Sequence, residues 1–199
     1  IPVDIGIAAS CKIDGVLDEK IACGTRNFAK EPAMTEKETL DAIDTGVRLV
    51  KQCKENGYQI LATGEMGIGN TTTSSAVTAA LLHRLASETA GRGAGLNDKG
   101  LSRKKQVIQE AIDRYDLYKA DAFTVLQTVG GFDIAGLTGV FIGGAMYHVP
   151  IVLDGLISGA AALLAKRIIP GTEHFMIASH LGKEPAAKAI LKEIGIKTV

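Results

Sequence analysis

The chain has 199 residues, 46% of them hydrophobic, with 23 glycines and no tryptophan, a profile that suits one α/β domain and argues against a β-sandwich. Zero formal net charge argues against a general nucleic-acid or acidic-membrane surface; no stretch is long and apolar enough to span a bilayer and no signal peptide is visible, so a cytoplasmic protein is expected. Cys11, Cys23 and Cys53 are odd in number and form no C-x-x-C, which fits reduced thiols and argues against zinc.

Val3 to Ile7 reads as a short strand, and Cys11 to Lys20 as a polar surface excursion. Gly24, Thr25, Arg26 and Asn27 fit a site or a plain loop equally well. Thr35 opens a helix: Thr35-x-x-Glu38 is a capping box, Leu40, Ile43, Val47 and Val50 recur at helical spacing, and Gly57 closes it. Tyr58 to Thr63 is apolar enough for a parallel strand covered on both faces.

That strand feeds Gly64 to Thr73, which reads G-E-M-G-I-G-N-T-T-T and leads into an alanine-rich helix, Ser74 to Leu85. Glycines let the backbone turn sharply and approach a ligand, and the free N–H groups of a helix start favour an anion such as phosphate. The spacing from Gly64 to Gly69 is that of a P-loop, but Asn70 stands where the lysine belongs, which excludes a nucleoside triphosphatase. Gly67-x-Gly69-x-x-Thr72 is a dinucleotide fingerprint without its last glycine. Glu65 is costly beside a phosphate, so it is expected to face a ring N–H or a sugar hydroxyl. His83 reads as a polar-face or capping residue.

A second glycine loop spans Gly91 to Leu96 and includes Gly95. Ser102, Arg103, Lys104 and Lys105 follow near a helix start, where adjacent cations oppose the macrodipole unless an anion binds. Asp121 begins a short helix ending at Gly130-Gly131, and Phe132 to Val149 reads as a buried helix or a subunit contact. Pro150 to Leu153 is a strand with Asp154-Gly155 at its carboxyl end, where parallel sheets bind ligands. Ser158 to Lys166 is helical, Phe175 to Ala178 is a strand ending at Ser179-His180, and Lys183 to Ile194 is the last helix. The expected architecture is a doubly wound, mostly parallel α/β sheet with helices on both faces, a Rossmann-like three-layer sandwich. Residues 1–34 are expected to pack as a small peripheral segment.

Four stretches together resemble the nicotinate-nucleotide–dimethylbenzimidazole phosphoribosyltransferase family: Gly64 to Thr72, Val129 to Gly139 (V-G-G-F-D-I-A-G-L-T-G), Leu153-Asp154-Gly155, and Ser179-His180. The resemblance runs in order from about Val3 to the C-terminus. It implies transfer of phosphoribose from nicotinate mononucleotide to 5,6-dimethylbenzimidazole, releasing nicotinate and giving α-ribazole 5′-phosphate for the lower ligand of cobalamin, without a metal or other cofactor. It also implies a homodimer, a reading the glycine-rich Phe132 to Val149 stretch supports.

Carried over by position, Glu65 would contact the benzimidazole N–H region, while Gly67, Gly69, Asn70 and Thr71 would line the nucleotide side. Lys104 would hold the phosphate, and Gly95 is a further substrate-binding residue. Asp154, Gly155 and Ser179 would border the ribose phosphate, and Asp133 and His180 are further substrate-binding candidates that could equally be caps or supporting residues. The family's proposed catalytic base is a glutamate in a later segment, Leu-Gly-Glu-Gly-Thr-Gly or similar, which has no counterpart between Ile1 and Val199. The family's early section, with part of the benzimidazole pocket, has none either. The chain therefore resembles the middle of the enzyme, and a fragment of a longer protein is expected. The alternative is a shortened relative that serves as a nucleotide- or benzimidazole-binding module or as a subunit of a larger assembly.

Overall fold

The computed structural model describes residues 1–9, 12–180, 182, 184 and 186–198. Cys11 and Lys183, where one thiol and the start of the last helix were expected, lie outside the described residues.

The chain opens with two short parallel strands, β1 (Val3–Asp4) and β2 (Leu17–Asp18), which pair with each other. β2 falls where the sequence suggested a surface excursion. A two-residue strand shows no alternation, so nothing in the pattern marks it. The Asp4 carboxylate accepts from the Gly6 and Ile7 backbone N–H groups and from Lys20 Nζ, which ties the two arms together. Residues 21–34 then lie against the body of the molecule. Phe28, Ala33 and Met34 are core residues, and the Ala33 and Met34 N–H groups donate to the Thr128 and Gln127 carbonyls. Arg26 forms an ion pair with Glu38, and Asn27 Oδ1 accepts from the Ala29 N–H, so both side chains have structural partners.

Helix α1 (Glu36–Glu55) starts at the expected capping box: the Glu38 N–H donates to Thr35 Oγ1, and the Thr35 N–H donates to the Glu38 carboxylate. It ends in a Schellman arrangement, with the Gly57 N–H on Lys54 O, the Tyr58 N–H on Cys53 O, and Gly57 at φ 88°. Its buried face differs from the expected Leu-Ile-Val stripe: Leu40 is exposed, while Thr39, Ala42, Thr45 and Gly46 are buried beside Val50. The reason is its partner, α6 (Phe132–Tyr147), which approaches along its own glycines. A Cβ on Gly46 would strike the Gly136 carbonyl, and one on Gly139 would strike the Ile43 carbonyl. Backbones this close leave no room for a leucine seam. The small residues of Phe132 to Val149 are therefore consumed inside the chain, so they no longer argue for a subunit contact.

The main sheet is parallel, with β3 (Leu61–Ala62), β4 (Ile151–Leu153) and β5 (Met176–Ala178) in that order and helices on both sides. Thr198 adds a parallel bridge beside Ala178. β3 is a correction to the sequence reading. It pairs over two residues only, lies at the sheet edge among the described strands, and leaves Tyr58 and Ile60 exposed, where cover on both faces was expected. β4 is central, with Ile151 and Leu153 buried.

Helices α2 (Asn70–Leu81), α3 (Ala86–Thr89), α4 (Asp98–Arg114), α5 (Ala122–Val129) and α6 connect β3 to β4. Helix α7 (Leu156–Ile168) and a 3-10 turn (Thr172–Phe175) connect β4 to β5, and α8 (Ala187–Ile194) follows. The core centres on α6 and α7, where Ile134, Phe141, Leu163 and Leu164 are fully buried against Ile151. His83, just past α2 at φ 51°, stacks its ring on Tyr118. No helix among the described residues is long and apolar enough to cross a membrane.

Candidate functional site

Parallel pairing sets the carboxyl ends of β3, β4 and β5 side by side: Ala62 pairs with Val152, and Leu153 with Ala178. The chain after each end carries residues singled out from the sequence: the Gly64 loop, Asp154-Gly155 and Ser179-His180. In open parallel sheets this edge is where ligands bind.

The Gly64 loop turns through left-handed glycines, Gly67 at φ 74° and Gly69 at φ 80°, and delivers Asn70 as the first residue of α2. No side chain caps this helix and no acidic residue sits in its first turn, so its N-terminal partial positive charge is not offset from within. Asn70 is nearly fully buried. Its amide nitrogen donates to Glu65 Oε2 at 2.7 Å and to Asp133 Oδ2 at 2.8 Å. Asp133 stands in the first turn of α6, so the starts of α2 and α6 converge on two carboxylates joined by one amide.

One residue further along α2, Thr71 Oγ1 accepts from Lys104 Nζ at 3.0 Å, and the Gly91 carbonyl accepts from the same ammonium at 3.1 Å. Lys104 is 6% exposed. Burial pushes its pKa below the usual 10.5, while the Glu184 carboxylate pulls the other way. An ammonium has three N–H donors, and two are used among the described residues. Gly93 has no room for a Cβ against Thr71, and Gly91 has none against the Glu184 carboxylate. The second glycine loop is thus pressed against α2 through Gly93 and against Glu184 through Gly91, whereas Gly95, at φ 106°, faces open space.

The helix carrying Lys104 starts earlier than the sequence suggested. Asn97 caps it by accepting from the Gly100 N–H, and Asp98 occupies the first turn. Arg103, Lys104 and Lys105 therefore lie beyond that turn, and the macrodipole argument for them does not hold. Lys104 is singled out by burial instead.

At the other two strand ends, Asp154 is exposed, its backbone N–H donates to Ser158 Oγ at 2.9 Å, and Gly155 is the N-cap of α7. The Ser179 hydroxyl donates to the Leu153 carbonyl at 2.6 Å, and the Ser179 N–H reaches the same oxygen. Both Ser179 donors are therefore committed. With its proton placed on Leu153 O, Ser179 Oγ accepts from His180 Nδ1 at 2.9 Å, which leaves His180 Nε2 free of this contact. A shallow pocket here is lined by Asp154, Gly155, His180 and Gly182 above Leu156 and Ile190.

Residues 1–199 match the phosphoribosyltransferase family model DBI_PRT. The chain belongs to this family. Among similar proteins, the nicotinate-nucleotide–dimethylbenzimidazole phosphoribosyltransferase of Clostridium perfringens is 42% identical over 193 residues, covering 97% of this chain and 54% of that protein. The Ruminiclostridium cellulolyticum protein of the same name is 46% identical over 192 residues, covering 96% of this chain and 54% of the relative. The crystal structure of CobT from Thermus thermophilus superposes with a TM-score of 0.93 at 35% identity, covering 99% of this chain and 59% of that one. The chain spans about half the length of the curated relatives it matches.

The structure thus gathers Glu65, Asn70 and Asp133 in one cluster, Thr71 and Lys104 in an adjoining one, and Asp154, Gly155, Ser179 and His180 at the neighbouring strand ends. The sequence reading did not foresee the Asn70 bridge, the Gly91 carbonyl or Glu184. Only the asparagine in the lysine position of a P-loop spacing hinted at the first.

Proposed function

We propose that the chain provides the nucleotide side of a phosphoribosyltransferase site, in which phosphoribose passes from nicotinate mononucleotide to 5,6-dimethylbenzimidazole with release of nicotinate. The observation that carries this reading is the buried Lys104 ammonium, held by Thr71 Oγ1 and Gly91 O beside the uncapped start of α2. A dianionic phosphate there would accept from the third Nζ proton and from free N–H groups of the first turn, compensating both the buried cation and the helix end.

In this reading the chemistry follows from position. Nicotinate leaves a ribose whose C1 gains oxocarbenium character, so the donor must be held still at its phosphate while the acceptor approaches the opposite face. Gly67 and Gly69 allow the close approach of the sugar-phosphate, and Thr71 and Lys104 anchor it. Asp154 and the Nε2 of His180 are acceptors for ribose hydroxyls. Ser179, its donors spent on Leu153, orients His180 and borders the phosphate only through van der Waals contact. Glu65 accepts a hydrogen bond from the ring N–H region of the incoming benzimidazole, and the proton that departs as the glycosidic bond forms goes to the glutamate base that the family resemblance places outside residues 1–199. The product is α-ribazole 5′-phosphate, a precursor of the cobalamin lower ligand. Free Cys23 and Cys53 fit a cytoplasmic setting. The homodimer is retained on family resemblance alone.

The test is calorimetry with nicotinate mononucleotide, ATP and NAD. Binding of the mononucleotide in preference to the other two, lost on Lys104→Ala, is the expected result. Equal affinity of wild type and Lys104→Ala would remove Lys104 from the site and, with it, the reading.

A further inference from the structure

We propose that Asp133 is a positioning residue for Glu65 and acts through the amide of Asn70. The proposal rests on the reading that Glu65 faces the acceptor ring.

Three observations carry it. Asn70 is 6% exposed and its amide donates one bond to each carboxylate, so its two N–H protons are both committed. Its own carbonyl oxygen, Oδ1, is buried and has no hydrogen-bond partner among the described residues. The amide is therefore held from its nitrogen side alone. With two carboxylates on that side, exchanging the amide nitrogen and oxygen would set a carbonyl oxygen against both, so the orientation is fixed. With only Glu65, one anchor is lost and the amide can rotate.

The two carboxylates differ in what else holds them. Asp133 rides on the first turn of α6, and its Oδ1 also accepts from the Ile134 N–H at 2.8 Å. That helix is fixed against α1 by the Gly136 and Gly139 contacts. Glu65 sits in a loop flanked by Gly64, Gly67 and Gly69, and Asn70 is its hydrogen-bond partner among the described residues. Order therefore flows from α6 through Asp133 and Asn70 to Glu65. Asp133 touches no reacting atom in this scheme.

The experiment is a double-mutant cycle read by calorimetry with 5,6-dimethylbenzimidazole and, separately, with nicotinate mononucleotide. Asp133→Ala is expected to weaken the benzimidazole by roughly five- to tenfold, the scale of one charged hydrogen bond felt indirectly, and to change mononucleotide affinity by less than about twofold. Asp133→Asn keeps an acceptor oxygen and should restore most of the loss. In a Glu65→Ala background, Asp133→Ala should have no further effect. An undiminished effect in that background, or none in the wild type, would overturn the proposal.

Asn70→Ser cuts the bridge without touching the Asp133 cap on Ile134, and must reproduce the selective loss even if Asp133→Ala folds poorly. A second readout needs no ligand. In a proton–nitrogen NMR spectrum, Asp133→Asn and Asp133→Ala should move the Asn70 side-chain amide, assigned by its loss in Asn70→Ser. An unmoved amide would refute the bridge. Wild-type protein that binds neither ligand, with the amide responding as expected, would instead remove the functional reading and leave the bridge standing.

Discussion

At the scale of single residues, the phosphate role proposed for Lys104 sets function against stability. Folding takes its ammonium out of water, and the pKa falls because the charged form is disfavoured there. The unfolded chain then binds more protons at this residue, so its contribution to folding improves as pH rises through the lowered pKa. The proposed phosphate binding would have the opposite sign: it favours the ammonium, so affinity would be full below that pKa and lost as pH rises through it. Mononucleotide affinity should therefore begin to fall at a lower pH than an exposed lysine would give, and calorimetry between neutral and alkaline pH would show it. Lys104→Met removes the buried charge and keeps the stem. It should leave the melting temperature equal or higher while weakening the mononucleotide by at least about tenfold, the cost of one charged hydrogen bond.

At the scale of elements, α1 supplies two tests. Its start depends on Thr35, Glu38 and Arg26. The Glu38 carboxyl is held below its usual 4.5, chiefly by the Arg26 guanidinium and by the Thr35 bonds. A depressed carboxyl contributes stability above its unfolded value and loses it as pH falls through the folded one. The melting temperature should drop on acidification below about pH 4.5, and less so in Glu38→Gln. Thr35→Ala should cost about 1 kcal/mol in a denaturant titration.

The face of α1 supplies the second test. On Gly139→Ala the added methyl meets the Ile43 backbone, which cannot move as a side chain would. A loss of about 3 kcal/mol is expected, which lowers the melting temperature by roughly 6 to 12 °C in a chain of this size. Gly64→Ala, which meets open space, should stay within about 0.5 kcal/mol of wild type.

For the molecule as a whole, what could be read from the sequence depended on how local its cause was. The capping box at Thr35, the Gly57 terminus, the Asp121 cap and the Gly130 end of α5 are each settled within a few residues, and each stands where the sequence placed it. The parallel α/β class was legible because Pro150 to Leu153 and Phe175 to Ala178 are apolar and are followed by small-residue helices. What depended on distant partners was not. Leu40 looked like a core residue until the glycines of α6 claimed the space beside it. By spacing alone Lys104 was one of three adjacent cations; the family resemblance singled it out, and the approach of Thr71 and Gly91 gives the physical reason. The bond from Asn70 to Asp133 spans 63 positions, and no spacing rule reaches that far.

The same scale exposes one surface the core does not explain. Ile60, just before β3, and Met66 (84% exposed) and Ile68 (83% exposed), in the loop after it, are exposed, and β3 is an edge strand among the described strands. Exposed apolar edges of this kind favour association, so Ile60→Lys should reduce light scattering from concentrated protein.

The seam between α1 and α6 also acts as a ruler. Gly139 lies six residues along α6 from Asp133, about 9 Å at the rise of an α-helix. Carbonyl against Cα leaves that helix almost no freedom to slide, so the height at which its first carboxylate meets Asn70 is set by hydrogen atoms standing where methyl groups would be elsewhere. The proposed placement of Glu65 can therefore be detuned from well outside the pocket, by any change that makes those two backbones step apart.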